Sequence, residues 1–245
     1  MPTHFLAFLA FFRVKPALAA LILIAIWAAF TTPAQAKNDQ ASPAYSVRDM
    51  AGNTVQFQRA PQRIITLLPS LAETVCALGA CNKIVGTDRY TTWPDALQKV
   101  SKVGGGLDPN IEAIVALKPD VVLVSASSRA SARLRALGVR VVVLEPRTHA
   151  ETLLVLQTVG KILGLPPSAA QGLWQKIQTQ IHSAAASLPP ALRGKRLYFE
   201  VSRGPFAAGE NSFIGQTISA LGLGNVVGKD LGPFPKLNPE FVVRQ

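Results

Sequence analysis

Histidine and cysteine are scarce in this chain of 245 residues, which has three of the first and two of the second. His4 falls among the first 36 residues, so only His149 and His182 could serve an imidazole-based mechanism, and no G-x-S-x-G turn presents a serine to either. A secreted hydrolase recruiting His149 or His182 is the alternative from a different functional class; catalysis is not expected. Cys76 and Cys81 without a nearby histidine make a poor metal site, so neither metal nor cofactor is expected. The one glycine run, Gly104-Gly105-Gly106, lacks the Lys-Ser/Thr that completes a phosphate loop and reads as a flexible turn. Acidic residues are also few, 14 against 25 Lys and Arg. Such an excess could attract nucleic acid or anionic lipid, but Arg59, Arg63, Lys99, Lys102, Arg129, Arg133 and Arg193 are scattered along the chain, and the export signal described next argues against nucleic acid.

The only long apolar run is Ala17 to Phe30, preceded by Arg13 and Lys15 and followed by Ala34-Gln35-Ala36. A short positive region, a short apolar stretch and small residues at the cut site predict a secretory signal peptide over residues 1–36, cleaved after Ala36. A spanning helix needs roughly 20 apolar residues, more than this run supplies. No cysteine lies near the cut, so a free periplasmic protein is expected rather than a lipid-anchored one. In an oxidising compartment Cys76 and Cys81 can close a small disulfide loop or remain two packed thiols.

Beyond the leader, strand and helix alternate. Tyr45 to Phe57 reads as a hairpin turning at Gly52-Asn53. Strands are predicted at Arg63–Leu67, Lys83–Thr87, Asp120–Val124 and Val139–Leu144, with helices at Ser70–Leu78, Ile111–Leu117 and Ser127–Leu137. Near-continuous apolar strands between helices indicate a parallel sheet covered on both faces, an α/β lobe over residues 37–148. Strands disappear over 149–190, where Ser168–Ser187 carries Leu173, Trp174, Ile177 and Ile181 at helical spacing; at about 1.5 Å per residue it reaches roughly 30 Å, enough to bridge two lobes. Arg196–Val201 opens a second strand-helix series over 191–245.

The two series repeat one plan. ETVCALGACNKIVG from Glu73 is echoed by QTISALGLGNVVG from Gln216, Trp93-Pro94 by Phe234-Pro235, and Leu107-Asp108-Pro109 by Leu237-Asn238-Pro239. Ligands of open α/β sheets bind beyond the carboxyl ends of the strands, so Pro69, Ser70, Tyr90, Trp93, Phe206 and Phe234 are candidate walls of a cleft between the lobes. Aromatic walls with few charges suit a large, partly apolar, ring-containing ligand. The alternative is that Trp93 and Phe234 each plug the core of their own lobe.

The runs RIITLLPSLAETVCALGACNKIVGTDRYTTWP and VGGGLDPNIEAIVALKPDVVLV, with GENSFIGQTISALGLGNVV and LGPFPKLNPEFVVR, resemble the periplasmic substrate-binding proteins of iron-siderophore, haem and cobalamin ABC transporters, the cobalamin binders above all. The resemblance covers the chain from about Ser46 to Gln245, with the family's binding domain expected over about residues 62–245. It implies two Rossmann-like lobes joined by one rigid helix, a monomer, and an inner-membrane ABC permease as partner. It also implies one docking glutamate per lobe, which falls on Glu112 and Glu240. Tyr90 and Phe234 stand where cobalamin-binding members place cleft aromatics, whereas Gly106 and Ser125 stand where those members have tryptophans. Trp93 occupies the position of the iron-coordinating tyrosine of haem-binding members. The expected ligand is cobalamin or a related corrinoid, with a ferric siderophore second and haem third. In this family a helix, further strands and a terminal helix follow the point where LNPEFVVRQ stops, so the second lobe is expected to be incomplete and its apolar surface uncovered.

Overall fold

The computed structural model describes residues 44–202 and 204–244; the signal-peptide expectation for residues 1–36 lies outside them. The described residues belong to one compact unit. Its centre is a five-stranded parallel sheet in the order β5-β4-β3-β6-β7, formed by β3 (Ile64–Thr66), β4 (Ile84–Thr87), β5 (Ser101–Lys102), β6 (Val121–Val124) and β7 (Val141–Val143). The helices α1 (Pro69–Ala77), α2 (Ile111–Ala116) and α3 (Ser131–Ala136) are crossovers between successive strands.

Two cores follow from strand periodicity, because successive side chains point to opposite faces. Ile64, Val121, Leu123 and Val142 join Leu71 and Val75 of α1 on one face. Ile65, Val122, Val124, Val141 and Val143 join Ile111, Ile114 and Leu134 on the other. That is why these strands contain no polar alternation. The hairpin of β1 (Tyr45–Arg48) and β2 (Thr54–Phe57) pairs Tyr45 with Phe57 and turns with Gly52 at φ 85°. Its Val47 and Phe57 complete the first core.

Two helices follow, α4 (His149–Ile162) and α5 (Pro167–Ala186), and they fold back on each other, with Gly160 admitting Ala170 at close range. The chain then forms β8 (Arg196–Leu197), β9 (Glu200–Ser202), β10 (Phe206–Ala207), α6 (Phe213–Ala220), β11 (Gly224–Asn225) and α7 (Pro239–Arg244). β8 and β11 pair in parallel around α6, the same strand-helix-strand plan as β3, α1 and β4. Both repeated helices are followed by a glycine in the left-handed region, Gly79 at φ 83° and Gly222 at φ 79°. The core of this C-terminal region is small, built on Ala207, Val227 and Leu237.

Two expected elements differ. The strand predicted over Arg196–Val201 splits into β8 and β9, which join different sheets. The helix predicted from Ser127 starts at Ser131, because Ser128 N–H turns back to the Ser125 carbonyl at 3.2 Å and the Ser125 and Ser127 hydroxyls pair at 2.7 Å. Cys76 and Cys81 are joined as a disulfide across the end of α1.

Ile114→Ala is expected to lower unfolding free energy by about 2–5 kcal/mol, as deletion of a fully buried side chain between sheet and helix does. Urea denaturation checks this, and a loss below about 1 kcal/mol would mean the second core is not close-packed.

Candidate functional site

Strand order reverses between β3 and β6: the chain proceeds outward from β3 to β4 and β5, then returns to build β6 and β7 on the other side. Loops leaving adjacent strands at such a point diverge and leave a crevice at their carboxyl ends. A cavity of about 240 Å³ lies there, lined among others by Leu68 and Pro69 after β3, Asp88 and Tyr90 after β4, and Ser125 and Ser127 after β6. A larger cavity of about 570 Å³ adjoins it, and Leu68 and Glu145 line both. The walls of the larger one come from Ser70, Leu71 and Thr74 of α1, from Arg147 and Val155, and from Phe213, Ile214 and Phe234 of the C-terminal region.

The loop carrying Tyr90 is fixed from beneath. Asp88 is fully buried, and its carboxylate accepts from Tyr90 N–H at 2.8 Å and the Thr91 hydroxyl at 2.5 Å. Lys102 Nζ donates to Thr87 Oγ1 at 2.9 Å and to the Thr91 carbonyl at 2.5 Å, closing the base of the loop. Arg89 places its guanidinium 5.9 Å from the Tyr90 ring. Tyr90 itself stays 67% exposed, a large aromatic held open to solvent rather than packed.

A second set of bonds ties α6 to the loop before α4. Phe213 N–H, a first-turn donor with no partner inside its own helix, donates to the Arg147 carbonyl at 2.6 Å. Thr148 caps α4 by accepting from Glu151 N–H at 3.2 Å, while Glu151 reaches back to Arg147 N–H at 2.6 Å. His149 N–H donates to Gln216 Oε1 at 2.8 Å, and its ring packs edge-on against Trp174 and Phe213. The Thr217 hydroxyl donates to the Phe213 carbonyl at 2.9 Å, so His149 Nε2, 2.9 Å from Thr217 Oγ1, carries the proton of that contact. The threonine proton is engaged in the helix and faces no base, so the pair is a structural clamp. His182 lies exposed on α5.

The sequence-predicted site residues divide. Pro69 and Tyr90 line the smaller cavity, and Ser70 and Phe234 the larger. Trp93 lines neither: it precedes a cis peptide bond to Pro94 and the turn Asp95–Leu97, whose Leu97 is buried in the first core, and it is 62% exposed. Phe206 lines neither as well. Its neighbour Ala207 is fully buried, and strand alternation turns Phe206 to the opposite side, where it is 39% exposed. Gly106 does line the smaller cavity, but a Cβ there would sit 2.5 Å from the Leu67 carbonyl, so this loop admits no side chain. Glu145, Arg147 and Phe213 also line the larger cavity, and no local motif marks them in the sequence. The available signal was topological: Glu145 and Arg147 directly follow a buried strand, where ligand loops lie. Among the described residues no cluster of three or more His, Cys, Asp or Glu could hold a metal ion, and no helix is long and apolar enough to cross a membrane.

A doubly wound α/β sheet with a cleft at its switch point is a ligand-binding architecture shared by enzymes and binding proteins, so the class is set by family membership. The periplasmic binding protein family profile matches residues 64–245, and the chain belongs to that family, whose members are non-catalytic periplasmic or extracellular solute-binding proteins, some of them lipoproteins. A cobalamin-binding protein of Halobacterium salinarum is 28% identical over 246 residues, covering 93% of this chain and 66% of that protein, so the chain spans just under two thirds of its length. An uncharacterised ABC transporter substrate-binding lipoprotein of Bacillus subtilis is 27% identical, over 92% of this chain and 78% of its own length. The crystal structure of a possible iron-binding (periplasmic solute-binding) protein from Staphylococcus epidermidis shares the fold, with a TM-score of 0.64 at 24% identity over 76% of this chain and 74% of that one.

Burial holds the His149 pKa below the usual histidine value, with a smaller opposing effect from hydrogen bonding to the Phe213 backbone. The unfolded chain therefore binds this proton more readily, and His149 costs stability as pH falls from about 6.5 toward its lowered folded value. Acidification from about pH 7.5 to 5.5 is expected to lower the melting temperature of the native protein more than that of His149→Gln. Equal shifts in the two proteins would mean that His149 does not carry this pH dependence.

Proposed function

We propose that this protein is the substrate-binding component of an ABC importer, capturing cobalamin or a related corrinoid between two lobes and delivering it to an inner-membrane permease. In this reading residues 37–148 and 191–245 are the lobes, and the helices within 149–190 join them. The carrying observation is the pair of adjoining cavities that share Leu68 and Glu145, with Tyr90 at one end and Phe234 at the other. A large planar ligand would lie across both, its rings against these aromatics and against Leu71, Val155 and Ile214. The name of the Halobacterium relative supports a corrinoid, and the ABC transporter name of the Bacillus relative supports a permease partner. Pro69 and Ser70 frame the cleft at the start of α1, while Trp93 and Phe206 would reach the ligand only after a movement of their loops.

Glu112 and Glu240 are the proposed docking carboxylates. Each lies in the first turn of a helix capped by an asparagine: Asn110 Oδ1 accepts from Ala113 N–H at 2.8 Å, and Asn238 Oδ1 from Glu240 N–H at 2.9 Å. Each also has an arginine of its own chain at hand, Arg133 at 3.3 Å and Arg244 at 3.5 Å. Exposed pairs of this kind contribute at most about 1 kcal/mol, so exchange for a permease arginine is cheap.

Titration of the purified protein with cyanocobalamin is expected to quench its tryptophan fluorescence, with haemin and ferric siderophores as the competing probes. Phe234→Ala should weaken the response roughly tenfold, the order expected for losing one buried aromatic contact. No response to any probe would sink the transport reading. Charge reversal of Glu112 or Glu240 is expected to abolish stimulation of permease ATPase activity while leaving ligand affinity intact; unchanged stimulation would leave these two as helix-start residues only.

A further inference from the structure

The larger cavity has a cation in an otherwise mostly apolar wall. Arg147 is an exposed residue that lines it beside Leu68, Leu71, Val155 and Phe234, and among the described residues its guanidinium, open to solvent, makes no hydrogen bond and no ion pair. Its main chain, by contrast, is held at both ends. The N–H donates to Glu151 and the carbonyl accepts from Phe213, both at 2.6 Å, with Pro146 before it and the helix cap Thr148 after it. The side chain thus projects from a fixed point while its charge stays available. The other charged residue of the wall, Glu145, lies beyond ion-pair distance of Arg147, and its Oε2 accepts from Ala126 N–H at 2.8 Å.

An occupant that covers this wall also removes water from the guanidinium. A neutral occupant would leave a desolvated and unpaired cation, whereas an anionic oxygen group would meet its planar fork with short, charge-assisted hydrogen bonds. We propose that Arg147 is the anion-recognition residue of the cleft, so that its ligand is an amphipathic molecule with a carboxylate or phosphate seated against this guanidinium. The proposal rests on the cleft being the ligand site, and it does not depend on the ligand being a corrinoid.

Two fluorescent probes of nearly the same shape test it on the purified protein. Anilinonaphthalene sulfonate carries one anionic group, and phenylnaphthylamine is the same ring system without it. Arg147→Gln is expected to weaken the sulfonate dye roughly five- to tenfold and the neutral dye less than twofold, with Arg147→Lys keeping part of the difference. Phe234→Ala should weaken both dyes alike, since it removes apolar contact rather than charge. Octanoate and octyl phosphate, as competitors, separate carboxylate from phosphate preference, with octanol as the uncharged reference. The proposal is overturned if Arg147→Gln leaves the sulfonate dye unchanged or weakens both dyes equally. It is overturned as well if neither anion competes better than octanol. Failure of cyanocobalamin to bind would remove the corrinoid reading alone, because the dye pair reports on the arginine whatever the natural ligand is.

Discussion

The hydrogen bond from Phe213 N–H to the Arg147 carbonyl is the constraint on which the cleft depends. A helix leaves its first N–H groups unpaired, and burying one without a partner costs free energy comparable to a lost hydrogen bond. Here the donor at the start of α6 is satisfied by the loop that leads into α4. Neighbouring contacts secure the same joint: His149 N–H to Gln216, His149 Nε2 to Thr217, and the imidazole between Trp174 and Phe213. The C-terminal region has a small core of its own, so its attachment through this joint sets where Phe213, Ile214 and Phe234 stand relative to the parallel sheet.

The sheet contributes the other half of the cleft through its topology. Reversal of strand order between β3 and β6 separates the loops at their carboxyl ends, and the apolar residues of both sheet faces keep those loops on a rigid base. The buried Asp88 and the exposed Lys102 turn one of them into a stiff mount for Tyr90. Chemistry in the cleft is accordingly confined to contact, charge and shape. His149, whose ring meets a threonine hydroxyl, is occupied in holding the joint together, in keeping with membership of a solute-binding family.

Much of this was legible in the sequence. The VVLV and VRVVVL runs were recognisable as strands because both faces of a parallel strand are buried and nothing polar interrupts them. Tyr90 and Phe234 were legible because each follows a strand or sits in a repeated, proline-framed loop. Trp93 and Phe206 satisfied the same local criterion yet lie off the cavity walls. Burial of Leu97 draws the chain after Trp93 into the core, and burial of Ala207 decides which side Phe206 faces. Neither effect is local in sequence. Arg147 shows the converse: one arginine among many in a basic chain, it is singled out only when its neighbours prove to hold the backbone and leave the guanidinium unpaired.

By itself the sequence determined the fold class, the positions of most strands and helices and the duplicated strand-helix-strand plan, because hydrophobic periodicity, helix caps and glycine turns are short-range signals. Tertiary structure alone decided which loop residues face the cleft, which carboxylates already hold an arginine, and which charge in the cavity lacks a partner. Those outcomes depend on the packing of segments far apart in the chain, and no pattern of spacing along one segment records them.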